Sequence, residues 1–194
     1  MQLQKLSWMV LALCSVTART GLAAEPKAIS DLPQTYSATA FVQSGAAAGK
    51  SFGLTVFVTG WTSDQEVQDF AATLKTSGPN ALVSALEKTK DVGRLAPTGS
   101  VGFGFRISRL RAIPDAGFRI IMATNRPISI PELINATRSR DYQFGIVVLN
   151  VDKDGKGTGT FAPACKVKFN KKGELEIEHY GQKPLRLANV RMEK

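Results

Sequence analysis

Apolar and polar residues alternate along residues 142–179, and two turn sequences interrupt the alternation. The first turn contains Asp154-Gly155, which suits the two central positions of a type I′ hairpin. The second is a three-residue loop, Lys171-Lys172-Gly173, with glycine at the left-handed position. Strand-like alternation bounded by such turns predicts a three-stranded antiparallel meander.

The two turns also predict the register of the meander. The first turn places Phe144 opposite Cys165, and the second places Cys165 opposite His179, the only histidine of the chain. Further predicted pairs are Val148 with Phe161, Val167 with Ile177, Lys168 with Glu176, and Lys166 with Glu178. The last two pairs join opposite charges, which supports the register because cross-strand partners of opposite charge stabilise a sheet.

Two apolar stripes at helical spacing come before the meander. A capping box at residues 63–66 begins the first, and Gly78-Pro79 ends it. Asn80 caps the second, shorter stripe, so together they predict a helical hairpin. The stripes consist of Val67, Phe70, Ala71 and Leu74, followed by Leu82, Val83 and Leu86.

The first strand of the meander is apolar on both faces, which is typical of a strand that is buried on both sides. One face carries Val147, Leu149 and Val151 opposite small residues that leave room for a helix. We therefore predict that the helical hairpin packs on this face, with a second sheet as the alternative cover.

Shorter apolar segments predict further strands, at residues 36–43, 52–58, 100–108, 118–122 and 185–190. The alternation changes phase at Leu110, which predicts a bulge or break near Ser108-Arg109. The expected fold class is α+β, with a mainly antiparallel sheet that is strongly curved or partly closed and the helical hairpin packed against it.

The N-terminus has the pattern of an export signal. Lys5 precedes a mostly apolar run at residues 6–18, and small residues follow. Cleavage near Ala23 or Ala24 fits best, with Ala18 as the second choice. The chain is therefore expected to be exported, to the periplasm or outside the cell.

This signal divides the chain into a signal peptide at residues 1–24, a flexible leader at 25–35 and a single α+β domain at 36–194. Cys14 follows Leu13 where a lipoprotein box needs glycine or alanine, so we assign Cys14 to the signal. No run in the mature chain is long and apolar enough to predict a membrane span.

The charge of the chain is unevenly placed. The formal net charge is +9, from 25 Lys and Arg against 16 Asp and Glu, and residues 94–140 hold eight arginines with only two acids. Such asymmetry favours an anionic partner, although a solvated basic face has the same composition. For an exported chain, an acidic glycan, a lipid headgroup or an acidic protein surface suits this charge better than nucleic acid.

Four arginines are the candidate ligand-binding residues: Arg106, Arg109, Arg111 and Arg119. They lie on two segments that are expected to pair as strands. Arg109 and Arg111 share one face, so their guanidinium groups are candidates to clamp a phosphate, sulfate or carboxylate.

Cys165 and His179 are the weaker, catalytic candidates. A thiolate nucleophile needs an adjacent imidazole, a group that orients the ring, and donors for an oxyanion. Cys165 however alternates with apolar residues, which is typical of a cysteine that acts as a small core residue. One histidine and one mature cysteine do not make a typical zinc site, so the sequence predicts no metal and no cofactor.

Three functional hypotheses remain. The first is a non-catalytic binding domain outside the cytoplasm that uses the arginine-rich strands. The second is an enzyme built on Cys165 and His179, and the third is a structural envelope protein without a small ligand.

Three segments of the chain also carry a resemblance: VTGWTSDQEV at residues 58–67, LEKTKDVGRLAPTGSVG at 86–102 and ELEIEHYGQKPLRL at 174–187. They resemble a family of uncharacterised exported bacterial proteins. The resemblance extends over most of the mature chain. It implies export and a single domain, and it implies no activity, ligand or catalytic residue.

Overall fold

The computed structural model describes residues 27–114, 117–128, 142–169, 175–179 and 183–193. The predicted signal peptide at residues 1–24 lies outside these ranges. In chain order the elements are α1 (Lys27–Ser30), β1 (Gln34–Phe41), β2 (Ser51–Val58), α2 (Asp64–Glu87), β3 (Gly93–Pro97), β4 (Phe103–Phe105), β5 (Ile107–Ile113), β6 (Gly117–Ala123), β7 (Phe144–Val151), β8 (Lys156–Phe169), β9 (Leu175–His179) and β10 (Leu185–Met192).

The strands form one antiparallel sheet in the order β4-β3-β2-β1-β10-β8-β7-β6-β5, and β9 pairs with β8 off this path. The two ends of this order, β4 and β5, are consecutive in the chain and only Arg106 separates them. Because one segment passes from pairing with β3 to pairing with β6, the sheet is nearly closed and barrel-like. This confirms the α+β class and the curved, mainly antiparallel sheet.

The break in the arginine-bearing segment lies slightly earlier than predicted. Phe105 is buried in the interior, and the next residue that faces the interior is Ser108. The phase of the alternation therefore changes at Arg106 and Ile107 rather than near Ser108-Arg109. The physical cause is the change of partner strand, because the backbone of Arg106 already donates to Ala123 of β6 at 2.9 Å.

The interior of the sheet contains the main hydrophobic core. Large side chains from both halves of the sheet are fully buried there, which makes this interior a filled core. They include Tyr36, Leu54, Phe105, Ile120, Leu149 and Phe161.

The predicted capping box is present at the start of α2. The Ser63 hydroxyl accepts from the Glu66 backbone at 3.2 Å, and the Glu66 carboxylate accepts from the Ser63 backbone at 2.8 Å. The predicted helical hairpin is not shown: residues 64–87 form one helix with a kink at Gly78, whose φ of 80° and ψ of −178° are not helical. Gly78 thus bends the helical segment where the sequence was expected to end it.

The helix packs on a different face of the meander from the one predicted. Val147, Leu149 and Val151 point into the closed sheet and belong to the main core. The helix lies on the opposite, outer face, where it forms a second cluster of Leu74, Leu82 and Leu86 with Phe144, Ala162, Cys165 and Val167. The prediction was wrong because closure of the sheet, rather than a helix, covers the first face.

The register of β8 with β9 is as predicted, including Cys165 opposite His179 and Lys168 opposite Glu176. The turn at residues 171–173, from which it was predicted, lies outside the described residues. Lys166 lies opposite Glu178 and Lys168 lies opposite Glu176, as predicted. The register of β8 with β9 was therefore predictable from the sequence.

The register of β7 with β8 is only partly as predicted. The turn has three residues with Gly155 at φ 74°, so Phe161 lies opposite Val147 instead of Val148. A bulge between Phe144 and Ile146 then restores the predicted pair of Phe144 with Cys165. This bulge has a consequence for burial: Phe161 faces the interior, and Cys165 faces the outer side beneath α2.

Part of the predicted flexible leader is described and packs onto the domain. Ile29 of α1 is fully buried in the main core, and the Ser30 carbonyl accepts from the Trp61 indole at 3.2 Å. β1 begins at Gln34, two residues before the predicted strand. Among the described residues, no helix is long and apolar enough to cross a membrane.

Candidate functional site

The four candidate arginines lie on or beside β5 and β6, which pair as expected. Alternate residues such as Leu110 and Ile120 face the core, so Arg109, Arg111 and Arg119 point to the outer face of the sheet. The structure divides the four into two sets. Arg106 and Arg109 contact acidic residues, whereas Arg111 and Arg119 face each other directly across the strands.

Arg106 has a structural environment where the sheet closes. Its Nε lies 3.3 Å from the Asp91 carboxylate, and its Nη1 donates to the Thr89 carbonyl. Gly104 allows this approach, because a side chain there would collide with Asp91. The guanidinium therefore ties the segment that follows α2 to the junction of β4 and β5.

Arg109 fixes the start of α2 to β5. Its side chain is 16% exposed; Nη1 donates to the Thr62 carbonyl at 2.6 Å and Nη2 donates to Asp64. Thr62 is further joined to Ser108 by two hydrogen bonds, of 2.8 and 3.0 Å. Arg109 shares a face with Arg111, as predicted, but its Nη1 and Nη2 groups are bound by the helix start. Its Nε is buried and has no hydrogen-bond partner among the described residues.

Arg111 and Arg119 are directly opposed and exposed. Arg119 Nε donates to the Asn150 amide oxygen at 2.8 Å, which orients this guanidinium. Within the described ranges, neither arginine forms an ion pair with an acidic side chain. Two like charges in direct opposition destabilise a sheet. An anion bound between Arg111 and Arg119 would therefore reduce their repulsion.

The same outer face carries a second directly opposed basic pair, Lys156 on β8 and Arg191 on β10. Both side chains are exposed. Sequence reasoning missed this pair because a bulge in β10 changes the face on which Arg191 lies, with Asn189 at φ 52°. The spacing of Leu185, Leu187 and Val190 is the signal that could have found it, since buried residues two and then three apart indicate a bulge.

Cys165 and His179 lie opposite each other, but their environments differ. Cys165 is fully buried beneath α2, its thiol lies 3.3 Å from the Phe144 carbonyl, and burial raises its pKa to about 12. His179 is exposed. At neutral pH the thiol is therefore protonated and packed as a core side chain, whereas nucleophilic catalysis needs an accessible thiolate.

The described part of the chain brings together no group of three or more histidine, cysteine, aspartate or glutamate side chains that could hold a metal ion. The exposed basic pairs of the outer face carry guanidinium and ammonium groups, which bind oxyanions by charge-assisted hydrogen bonds.

Comparison with known proteins gives no match to a family model and no significant match to a curated protein or a solved structure. The resemblance to a family of exported proteins stays a prediction.

Proposed function

We propose that the chain is a non-catalytic binding domain that works outside the cytoplasm and binds an anionic partner through Arg111 and Arg119. The observation that carries the proposal is their direct opposition on an exposed sheet face, without an acidic partner in the described residues. Arg106 and Arg109 support the domain instead, through their contacts to Asp91 and Asp64.

The proposed ligand group is an oxyanion: a phosphate, a sulfate or a carboxylate. Cβ atoms of directly opposed residues lie about 5 Å apart, so two guanidinium groups can reach one anion together. Asn150 orients Arg119, which lowers the entropy lost when the anion binds. The remaining donors of both arginines are then available to the ligand.

Lys156 and Arg191 extend the positive charge of the outer face. A partner that carries several anionic groups would therefore bind more tightly than a single ion. Acidic glycans, anionic lipid headgroups and acidic protein surfaces all have this chemistry, and each fits the proposed export of the chain.

The test is a titration of the protein with inorganic sulfate at low ionic strength, followed by a sulfated oligosaccharide, vesicles that contain anionic lipid, and an acidic peptide. Arg111→Ala and Arg119→Ala are each expected to weaken binding about tenfold, since a charge-assisted hydrogen bond contributes about 1.5 kcal/mol or more. Added salt should weaken binding by the wild-type protein, because the site is exposed.

Lys75→Ala is the matched control, since it removes one positive charge from an exposed position on α2. It should leave the affinity within about twofold of the wild type. Arg111→Lys should lose part of the affinity, because lysine keeps the charge and loses the planar fork. Binding that is insensitive to salt and to both alanine substitutions would contradict the proposed site. No binding of any of these ligands would favour a structural protein without a small ligand.

A further inference from the structure

β9 is an edge strand that pairs only with the last part of β8. All five of its residues, Leu175–His179, are exposed. Among the described residues, no strand pairs with its other edge. Backbone groups along that edge are therefore open to a further strand.

The apolar side chains of β9 are exposed to an unusual degree. Leu175 is 56% exposed and Ile177 is 40% exposed, and they lie opposite Phe169 and Val167 on the outer face of the sheet. Val167 belongs to the cluster beneath α2, so Leu175 and Ile177 continue that apolar surface beyond the helix. An added strand would cover them with apolar side chains at every second position.

The other face of β9 is acidic. Glu176 and Glu178 each lie 3.5 Å from the Lys168 ammonium group on the neighbouring strand. A hydrogen bond from the Tyr142 hydroxyl, 2.7 Å long, lowers the pKa of Glu178. The Glu178 carboxylate therefore stays charged near neutral pH, and a strand added at the open edge would meet Glu176 and Glu178 on this face.

We propose that the open edge of β9 binds an extended segment of a partner protein in which apolar and basic residues alternate. The segment adds to the sheet as a further strand, with its apolar residues beside Leu175 and Ile177 and its basic residues beside Glu176 and Glu178. The edge of β9 is separate from the anion site, which lies on β5 and β6 and has the opposite charge.

A second copy of this chain fits the edge less well. Antiparallel two-fold pairing that keeps the apolar side chains on one face sets Glu176 against Glu178 of the other copy, or either residue against itself. Opposed like charges destabilise such a pair. The net charge of +9 also repels a basic peptide from the molecule as a whole, so its binding has to be local.

The test uses an alternating Lys–Val octapeptide, with a peptide of the same composition in two blocks and an alternating Glu–Val peptide as controls. The expected result is that only the Lys–Val peptide slows amide hydrogen exchange across residues 175–179. Equal protection by either control peptide, or no protection by any of them, would overturn the proposal. Protection that rises with protein concentration in the absence of peptide would overturn it in favour of a second copy.

Two variants that raise the net charge equally distinguish peptide binding at Glu176 and Glu178 from an effect of the overall charge. Glu176→Gln with Glu178→Gln raises the net charge by two, and Glu87→Lys raises it by the same amount at an exposed position on α2. The double variant should weaken peptide binding about tenfold or more, because two charge-assisted contacts are lost and Lys168 then repels the peptide. A similar loss in both proteins would contradict the proposed site.

Discussion

The outer face of β5 to β8 has one end that is covered by α2 and another end that is exposed. At the covered end, Ile107, Ile146, Ala162 and Cys165 pack beneath α2. At the open end, Arg111, Arg119, Asn150 and Thr158 form one row across the same four strands, and both arginines are exposed. Arg109 lies between the two ends and is bound by the start of α2.

The position of α2, rather than the residue type, therefore decides whether an arginine on this face has a structural role. Where α2 supplies the Thr62 carbonyl and the Asp64 carboxylate, Arg109 becomes part of the fold. Two residues further along the same strand and face, Arg111 has no such partner among the described residues. The covered end is thus expected to control stability, and the open end to control binding.

Leu86→Ala should have the largest effect, since Leu86 is fully buried in the cluster beneath α2. We expect a loss of about 3 kcal/mol in the free energy of unfolding, from lost burial and the cavity that remains. Urea denaturation measures it, with Glu87→Ala on the exposed side of the helix as the control. A loss below about 1 kcal/mol would mean that α2 contributes little cover.

Arg109→Ala should cost about 2 kcal/mol, because the nearly buried Thr62 carbonyl loses its donor. The exposed ion pair with Asp64 adds little to this value. Arg111→Ala is the matched control, with the same residue type on the same strand and face. Equal destabilisation by both substitutions would remove the distinction between the two ends.

Alkaline pH should destabilise the covered end through Cys165. Burial raises the pKa of its thiol to about 12, whereas the unfolded thiol ionises near pH 9. The thiol therefore loses its proton first in the unfolded state. The contribution of Cys165 to stability is fully present below about pH 9 and falls by about 1.4 kcal/mol per pH unit up to about pH 12.

Urea denaturation between pH 8 and 11 measures this slope. Burial likewise raises the pKa of Tyr36 to about 12, from an ordinary value of 10.0. In Cys165→Ala the fall should therefore begin about one pH unit later, near pH 10, where Tyr36 begins to contribute. A fall that still begins near pH 9 in this variant would show that the thiol is not the group that titrates.

Arg111→Ala should have the smallest effect on stability. Because it removes one of two opposed positive charges, we expect no loss and a gain of up to about 0.5 kcal/mol at low ionic strength. Added salt should abolish the gain, since exposed charges are screened. A clear loss would indicate that Arg111 has a structural role in the fold.

Local sequence signals predicted much of the framework. The capping box, the pairing of β5 with β6 and the register of β8 with β9 each depend on residues close in the chain or on matched charges across one turn. The placement of the candidate arginines on paired strands was likewise predictable.

What the sequence did not reveal depends on distant contacts and single-residue irregularities. The bulge between Phe144 and Ile146 decides that Cys165 faces α2, and alternation alone assigns it to the face of Phe161. The engagement of Arg109 requires the start of α2 to lie beside β5, a contact across 45 residues that no local pattern encodes. Closure of the sheet at Arg106 likewise depends on contacts between distant strands, because β4 pairs with β3 and β5 pairs with β6.

A phosphate titration followed by amide chemical shifts, at low ionic strength and residue by residue, tests the difference between the two ends most directly. We expect the largest changes at Arg111, Arg119 and Asn150, smaller changes at Lys156 and Arg191, and none at Arg106 and Arg109. Changes that are largest at Arg106 and Arg109, or spread evenly over the basic residues of the surface, would contradict the proposed difference between the two ends.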